Sequence, residues 1–288
     1  MMRIAIIGAD GQLGTDLCET FALAGHEILR MTIADMRIDE VDSVNNVLRP
    51  LKPEVILNAA AFHNVPKCEQ EVATAFAVNA EGALNVARVA EEIGATNVYY
   101  STDYVFDGKK LNPYLENDLP NPLNVYSMSK LAGEYLTLNY SSKSIVIRIS
   151  GIYGKVPSIM KGNNFVSMMV KLASEKPEVR VVTDEILTPT PTFEIAEKSM
   201  LLVRSGNLGL FHLSSEGECS WFEFAQVIFE TLKFKTPLLP TSVKEFASPV
   251  KRPFYSVMEN ARYNAIPGMP KMAHWKDALV KFLRENYM

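Results

Sequence analysis

The sequence predicts an α/β protein with a Rossmann-like, doubly wound parallel sheet and a smaller C-terminal α/β region. Short β-branched runs alternate with helical stretches through the first half of the chain, as strands and helices do around a parallel sheet. A glycine-rich turn follows the first of these runs. The 288 residues, 48% of them hydrophobic, are also enough to build a large core.

Strands and helices follow one another in a regular order in the first half. Strands are predicted where apolar, β-branched runs stop at glycine or small residues, and helices where apolar residues recur at helical spacing. The predicted strands are 3–8, 27–32, 54–61, 97–102 and 144–150, and the predicted helices are 12–25, 42–51 and 71–94. The second half holds more proline, with strands predicted at 179–182 and 208–214 and a helix at 220–232.

Composition excludes several classes of partner. The formal charge of −4, from 29 basic and 33 acidic residues, gives no electrostatic footprint for nucleic acid or anionic lipid. No apolar run reaches the roughly 18 residues that span a bilayer, and the N-terminus turns polar too early for a signal peptide. Three cysteines and four histidines are scattered without metal or redox spacing. We therefore expect a cytoplasmic protein with reduced cysteines and no metal site.

Three glycines in "IIGADGQLG" lie in the turn after the first predicted strand: Gly8, Gly11 and Gly14. The first permits a tight turn, the second lets the backbone approach a pyrophosphate, and the third lets the helix pack on the sheet. The following helix would offer free N–H groups and a partial positive charge to phosphate oxygens. The turn lacks the Gly-Lys-Ser/Thr of an ATP-binding loop.

The change from regular alternation to a less regular, proline-richer second half divides the chain into two predicted regions. We expect residues 1–149 to form a dinucleotide-binding Rossmann domain. Residues 150–288 would mainly bind substrate. The two regions would be interleaved, with a strand near 179–183 returning to the Rossmann sheet.

The residues near the end of the second predicted strand leave the coenzyme open. NAD enzymes often place an acid there for the ribose hydroxyls, whereas NADP enzymes place an arginine. This sequence offers Arg30, Asp35, Arg37 and Asp39. Because both signs of charge are present, NADPH and NADH both remain candidates.

Tyr126 and Lys130 lie four residues apart in "VYSMSKLAGEYL", so a helix there would project both side chains from one face. A free tyrosine, with a pKa of about 10, is a poor acid–base group near neutrality. A nearby ammonium favours the phenolate and lowers that pKa. The strand that ends at Thr102 and Asp103 would bring a hydroxyl to the same crevice, where it can hold a carbonyl oxygen. This combination predicts proton exchange with a carbonyl or alcohol during hydride transfer.

Together these motifs resemble the extended short-chain dehydrogenase/reductase superfamily and, within it, the dTDP-4-dehydrorhamnose reductase family. The resemblance covers nearly the whole chain. It rests on "GADGQLG" (8–14), "NAAA" (58–61), "STDYVFDG" (101–108) and "PLNVYSMSK" (122–130), with weaker similarity in "GNNF" (162–165), "LTPTPT" (187–192) and "KRP" (251–253).

The resemblance implies roles for individual residues. The family reduces the C4 keto group of dTDP-4-dehydro-6-deoxy-L-mannose to dTDP-L-rhamnose with NADPH or NADH, and a homodimer is possible. The implied cofactor contacts are Gly8, Gly11, Gln12, Leu13, Asp39, Ala60, Ala61, Tyr126 and Lys130. The implied catalytic residues are Thr102 at the carbonyl, Tyr126 as proton donor and Lys130 as its tuning partner, and the implied substrate contacts are Thr102, Asp103, Asn164 and Arg252.

The chain also departs from the family pattern. Gly151 stands where the family often has tryptophan, Pro66 where it usually has aspartate, and Ser127 where glycine commonly follows the catalytic tyrosine. Two alternatives therefore stay open. One is a reductase or epimerase of another nucleotide sugar. The other is a non-catalytic NADP-binding regulatory subunit, since the β subunit of methionine adenosyltransferase shares this fold and motif set.

Overall fold

A six-stranded parallel sheet forms the centre of the computed structural model, which describes residues 1–157, 162–246 and 250–288. The strands are β1 (Arg3–Ile7), β2 (Glu27–Met31), β3 (Val55–Asn58), β4 (Thr96–Thr102), β5 (Ser144–Ile149), β6 (Val179–Val182), β7 (Ile186–Leu187), β8 (Gly209–His212), β9 (Cys219–Ser220) and β10 (Leu238–Thr241). The central sheet has the order β2-β1-β3-β4-β5-β8, and every neighbouring pair in it is parallel.

Helices connect the strands. They are α1 (Gln12–Leu23), α2 (Val41–Leu51), α3 (Val65–Gln70), α4 (Val72–Phe76), α5 (Gly82–Ile93), α6 (Val125–Tyr140), α7 (Phe165–Glu175), α8 (Thr192–Ser205), α9 (Trp221–Leu232), α10 (Val243–Phe246), α11 (Ala261–Asn264) and α12 (Trp275–Tyr287). The predicted helix at 71–94 forms α4 and α5, joined by a π-helical turn at Ala77–Glu81. None of the helices in the described ranges is long and apolar enough to cross a membrane.

The central sheet is covered on both faces, which confirms the doubly wound α/β fold. One face packs on α1 and α8 through a cluster that includes Ile4, Leu17 and Ile195. The other face packs on α2 and α5, where Ile56 and Val86 are fully buried. Strands buried on both faces need apolar residues throughout, and this explains the continuous β-branched runs in the sequence.

The chain reverses its direction across the sheet at β1. From β1 it passes outward to β2 on one side, and β3 then lies on the other side of β1. A crevice therefore opens beyond the carboxyl ends of β1 and β3, which is where α/β sheets of this kind bind ligands.

The second half contributes to the sheet through a different strand than the sequence suggested. The expectation that a strand near 179–183 returns to the Rossmann sheet was wrong, because β6 pairs with β10 in a separate two-stranded parallel sheet. The strand that joins the central sheet is β8, beside β5. The pair β6–β10 packs instead with α7, α9 and α12 around a second apolar core that includes Phe224 and Phe282.

Candidate active site

The glycine loop between β1 and α1 packs as closely as the three-glycine motif predicts. Gly8 has a φ of +75°, and a Cβ on Gly14 would lie 1.9 Å from the carbonyl oxygen of Gly8. Across the crevice, a Cβ on Gly8 would lie 3.0 Å from the backbone nitrogen of Ala60, beyond β3. Gly11 caps α1 without a side-chain hydrogen bond, so the first N–H groups of this helix stay available for a pyrophosphate. The loop therefore fits a dinucleotide.

Gln12 joins the loop to the second half of the chain. Its Nε2 donates to the carbonyl of Ile152 at 3.2 Å, and its Oε1 accepts from Nδ2 of Asn164 at 2.9 Å. Asn164 also donates to the carbonyl of Gly154, and its Oδ1 caps α7 by accepting from the Ser167 N–H. The structure thus places Asn164, predicted to contact the substrate, directly against Gln12 at the end of the glycine loop.

The remaining residues predicted to bind cofactor lie around the same crevice. Leu13 is buried in the first turn of α1. Ala60 and Ala61 follow β3 and are partly exposed. Asp39 lies two residues before the start of α2, and its carboxylate accepts a hydrogen bond from Nη2 of Arg37 at 2.6 Å.

Helix α6 begins with a capping box that explains one departure from the family pattern. Oδ1 of Asn124 accepts from the Ser127 N–H at 2.9 Å, and the Asn124 N–H donates to Oγ of Ser127 at 3.3 Å. Ser127 is fully buried in this role. Nδ2 of Asn124 also donates to the carbonyl of Lys251. The start of the helix is thereby fixed to the segment that carries Arg252.

Tyr126 lies in the first turn of α6 and is partly exposed to the crevice. Its phenol shares a side-chain hydrogen bond with Thr102, at the end of β4. The ring meets Tyr104 edge-on, with centroids 6.4 Å apart. Burial raises the pKa of Tyr126 above its ordinary value, and the Thr102 bond opposes that rise. Without a ligand, the phenol therefore keeps its proton at neutral pH.

Lys130 lies one turn after Tyr126 and is only 2% exposed. Its ammonium lies 3.9 Å from the ring centroid of Tyr99, whose hydroxyl donates to the carbonyl of Asn79 at 2.8 Å. Burial lowers the pKa of Lys130 to about 7, although the charge of Glu134 works in the opposite direction. A buried lysine with a pKa near neutrality is typical of functional sites.

Glu134, one turn further along α6, belongs to a buried ion pair. Its carboxylate accepts from Nε and Nη2 of Arg148 at 2.9 and 2.7 Å and from Oγ of Ser101 at 2.5 Å. The Glu134 and Arg148 side chains are each 3% exposed. This pair ties α6 to the strands β4 and β5, so it holds Tyr126 and Lys130 in register with Thr102.

Asp103 follows Thr102 and collects hydroxyl groups from three segments. Thr102 donates to Oδ1 at 3.2 Å, while Ser150 and Ser256 donate to Oδ2 at 2.9 and 2.6 Å. The residue is 3% exposed, and burial raises its pKa to about 6 against these three bonds. Sequence analysis missed Ser150 and Ser256, because serine at those positions carries no recognisable signal.

Arg252 reaches the same crevice from the C-terminal segment. Its charge opposes the burial-driven rise in the pKa of both Tyr104 and Glu185. Nε of Arg252 is buried and has no hydrogen-bond partner among the described residues. Glu185 is 7% exposed and shares a side-chain hydrogen bond with Trp221. No motif in the sequence points to Glu185.

The other two departures from the family pattern also have local reasons. Gly151 has a φ of +51°, and a Cβ there would lie 2.8 Å from Cδ1 of Leu187 and 3.1 Å from Cα of Pro189. Pro66 lies in the first turn of α3, where its fixed φ suits a helix start. Leu187 thus lies where a side chain at position 151 would begin.

Metal ligation has no support in the part of the chain that the structure describes. No three His, Cys, Asp or Glu side chains there come together in a group that could hold an ion. All three cysteines are buried, and none of them forms a disulfide in the described part of the chain.

Comparison with known proteins identifies the family. Residues 2–288 match the model of the RmlD substrate binding domain. The chain is 38% identical to the spore coat polysaccharide biosynthesis protein SpsK of Bacillus subtilis, over 99% of this chain and 98% of that one. It is 34% identical to the dTDP-4-dehydrorhamnose reductase of Aggregatibacter actinomycetemcomitans, over 97% of each.

Similar solved structures support the same family. A dTDP-4-dehydrorhamnose reductase of Clostridium acetobutylicum superimposes with a TM-score of 0.94 at 34% identity, covering 100% of both chains. The enzyme of Bacillus anthracis, in complex with NADP, gives a TM-score of 0.93 at 36% identity, covering 99% of both. The chain therefore belongs to the dTDP-4-dehydrorhamnose reductase family and is an NAD(P)-dependent oxidoreductase.

Proposed function

We propose that the protein reduces the C4 carbonyl of dTDP-4-dehydro-6-deoxy-L-mannose to give dTDP-L-rhamnose, with Tyr126 as the proton donor. The observation that carries this proposal is the interaction of Tyr126 with Thr102 at the carboxyl end of β4, with Lys130 one helical turn further along α6. The relatives named dTDP-4-dehydrorhamnose reductase, which match nearly the whole chain, support the choice of sugar.

Tyr126 has the protonation state that a reduction requires. Adding hydride to a carbonyl leaves an alkoxide, which must receive a proton. NADPH or NADH, when bound, supplies that hydride. A phenol of ordinary pKa, about 10, is already protonated at neutral pH, and burial raises the pKa of Tyr126 further, so the phenol holds a proton that it can donate. Thr102 lies beside the phenol, and it would hold the carbonyl oxygen by turning its one hydroxyl proton from Oδ1 of Asp103 to the substrate.

Lys130 stabilises the phenolate that remains after proton transfer. A positive charge one helical turn away lowers the energy of the phenolate form. Within the described ranges, no carboxylate forms an ion pair with Lys130, so its charge is not already neutralised. Lys130 is also predicted to bind the nicotinamide ribose, which would place its ammonium between ribose and phenol.

Arg252 is the proposed clamp for the substrate pyrophosphate. Its unpartnered buried Nε and the planar donor set of a guanidinium suit two phosphate oxygens. The predicted contact between Asp103 and the sugar also stays a proposal. Since both oxygens of Asp103 already accept hydroxyl donors, its first effect is to orient Thr102 and the Ser256 segment.

The test supplies NADPH and NADH separately, with the keto sugar made in situ by the upstream enzymes. Wild-type protein should oxidise the coenzyme and release dTDP-L-rhamnose. The Tyr126→Phe variant should keep coenzyme affinity and lose about 10²- to 10⁴-fold in turnover. Near-normal turnover in that variant would remove Tyr126 from the mechanism. Tight coenzyme binding without oxidation of any sugar would favour a regulatory subunit.

A different nucleotide sugar is the second candidate, and Gly151 favours it. With Leu187 and Pro189 lying where a side chain at this position would project, the wall of the pocket cannot resemble one built around a tryptophan. A panel of nucleotide-linked 4-keto sugars, assayed under the same conditions, separates the two candidates. The leading proposal requires the highest kcat/KM for dTDP-4-dehydro-6-deoxy-L-mannose.

A further inference from the structure

Glu185 is a buried carboxyl group to which the proposed reaction gives no role. It is 7% exposed and lies directly before β7. On one side β7 pairs with β9, which leads into α9. On the other side the Ile186 N–H donates to the carbonyl of Phe254 at 2.8 Å, and the carbonyl of Ile186 accepts from the Ser256 N–H at 2.9 Å. These pairings hold Glu185 between the start of α9 and the segment that follows Arg252.

Charges of both signs face Glu185. Burial is the strongest influence on this residue and raises the pKa of its carboxyl group. The charge of Arg252 opposes that rise, and the indole N–H of Trp221 also opposes it by donating a hydrogen bond. The other titratable groups that face Glu185 are Asp184 in the same turn and Asp103 and Tyr104 after β4. The negative charges of the two aspartates add to the rise.

Arg252 and Glu185 do not neutralise each other. Nε of Arg252 is buried without a hydrogen-bond partner, and no ion pair joins its guanidinium to a carboxylate among the described residues. A phosphate group bound to the guanidinium would therefore lie beside the Glu185 carboxylate. It would neutralise the cation that favours the ionised carboxylate, and it would bring a like charge close to it. Both changes favour the neutral carboxyl group.

A neutral carboxyl group can bind a phosphate, whereas a carboxylate repels it. When protonated, Glu185 has one O–H donor that can point at a phosphate oxygen, and its other oxygen can still accept from Trp221. The proton comes from solvent and forms this O–H bond, and no other bond is made or broken. Glu185 and Arg252 would then both donate to the same diphosphate.

We propose that Glu185 completes the substrate subsite as a neutral carboxyl group, which takes up one proton from solvent when a nucleoside diphosphate sugar binds at Arg252. This inference rests on the clamp role of Arg252 in the proposed function, but not on the reduction of the sugar. Because the complex holds a proton that the free protein lacks, the affinity for the nucleotide sugar falls as the pH rises.

The test measures proton uptake directly. Protein saturated with reduced coenzyme is titrated calorimetrically with dTDP-glucose, which has no keto group to reduce and whose diphosphate diester does not titrate near neutrality. The dependence of the binding enthalpy on the ionisation enthalpy of the buffer gives the number of protons bound. We expect the wild type to take up about half a proton or more per site at about pH 6.5, and its Kd to rise at least about threefold from about pH 6 to about pH 8.

Glu185→Gln tests the assignment to this residue. Glutamine keeps an acceptor for Trp221 and a donor for the phosphate, but it cannot take up a proton. The proton uptake and the pH dependence of the Kd should therefore disappear, while the affinity at about pH 8 should equal or exceed that of the wild type.

Glu218→Gln is the matched control. Glu218 lies directly before β9, is exposed, and accepts from the hydroxyl of Tyr255 at 2.6 Å, so its replacement should leave the proton uptake unchanged.

Three results would overturn the proposal. They are binding without proton uptake by the wild type, uptake that persists in Glu185→Gln, or uptake lost in Asp103→Asn but kept in Glu185→Gln, which would assign the proton to Asp103. Failure of the wild type to bind dTDP-glucose would overturn both this inference and the clamp role of Arg252. Proton-linked binding without reduction of any sugar would overturn the proposed function alone.

Discussion

Two buried charges on helix α6, one turn apart, lie in opposite surroundings. Lys130 and Glu134 are each 2% exposed. Glu134 accepts two hydrogen bonds from Arg148 and one from Ser101. The Lys130 ammonium instead lies over the ring of Tyr99, and burial lowers its pKa to about 7. One charge is paired within the protein, whereas the other has no carboxylate partner within 4 Å among the described residues.

This difference separates residues that hold the fold from residues that act on ligands. A buried ion pair fixes the register of the elements it joins, and loss of one partner leaves an uncompensated charge. A buried charge without such a partner destabilises the fold, and proteins tolerate that where function requires it. Asn164 and Asp103 can be compared in the same way, by asking which of their polar atoms are paired within the protein.

The largest expected effect comes from breaking the satisfied pair. Arg148→Met leaves the Glu134 carboxylate buried without its main partner, so the free energy of unfolding should fall by about 3–5 kcal/mol. Urea denaturation measures this change. The double variant Glu134→Leu/Arg148→Met removes both charges and should recover most of the loss. A double variant as unstable as Arg148→Met would show that the pair contributes more than mutual neutralisation.

Replacing Lys130, the buried charge without a carboxylate partner, should lower activity but raise stability. Lys130→Met keeps the apolar stem but removes the ammonium beside Tyr126, so kcat should fall by about 10²-fold or more. Stability in the absence of coenzyme should rise by about 0.5–2 kcal/mol, because a buried charge is no longer needed. Parallel measurement of kcat and of the unfolding free energy tests this prediction. A variant that is inactive and also less stable would contradict the comparison.

The stability effect of Lys130 should also depend on pH. In the unfolded chain its pKa is near the ordinary 10.5, and in the folded protein it is about 7. Between these values the unfolded state binds a proton that the folded state lacks, so the stability contribution of this residue rises with pH. The advantage of Lys130→Met should thus be greatest below pH 7 and shrink as the pH rises toward 10.5. A constant advantage from pH 6 to 10 would mean that Lys130 does not titrate in this window.

Asn164 sharpens the comparison, because its hydrogen bonds are made within the protein although it is predicted to contact the substrate. Asn164→Ser keeps a residue able to cap α7 but cannot reach Gln12 and Gly154. We expect coenzyme affinity to fall by up to about tenfold, in line with the loss of a buried hydrogen bond. Coenzyme titration and substrate KM separate the two roles. A large rise in substrate KM with unchanged coenzyme affinity would indicate that Asn164 contacts the substrate, as the sequence predicts.

The smallest effect is expected at Asp103, whose carboxylate accepts hydrogen bonds from three hydroxyl groups. Ser256→Ala removes one donor to Oδ2, so stability should fall by about 0.5–1.5 kcal/mol. Since that bond lowers the pKa of Asp103, the variant should raise it above the present value of about 6. Carboxyl ¹³C resonances followed across a pH titration report this shift. An unchanged pKa would mean that the hydrogen bonds from Ser150 and Thr102 are enough to set the pKa of Asp103.

Much of the fold and the chemistry could be predicted because the signals are local. The glycine loop, the small residues after β3, and the i, i+4 placement of Tyr126 and Lys130 each depend on a few neighbouring residues and on regular geometry. The carboxyl ends of parallel strands then bring these local features to one edge of the sheet.

The errors and omissions concern contacts between distant parts of the chain. The β pattern of 179–182 predicts a strand correctly but does not identify its partner, which is β10 rather than the central sheet. The donors to Asp103 lie 47 and 153 residues away, at Ser150 and Ser256. Such pairings depend on how the two halves pack, and no single segment encodes them.

One measurement tests the central claim most directly, namely that this crevice reduces a sugar carbonyl with Tyr126 as the proton donor. Wild type and Tyr126→Phe are given NADPH with deuterium at both C4 positions of the nicotinamide, together with dTDP-4-dehydro-6-deoxy-L-mannose, and the sugar is examined by NMR. The account predicts dTDP-L-rhamnose with deuterium at C4 from the wild type, and only trace product from Tyr126→Phe. Deuterium-free sugar from the wild type, or equal labelling by both proteins, would contradict it.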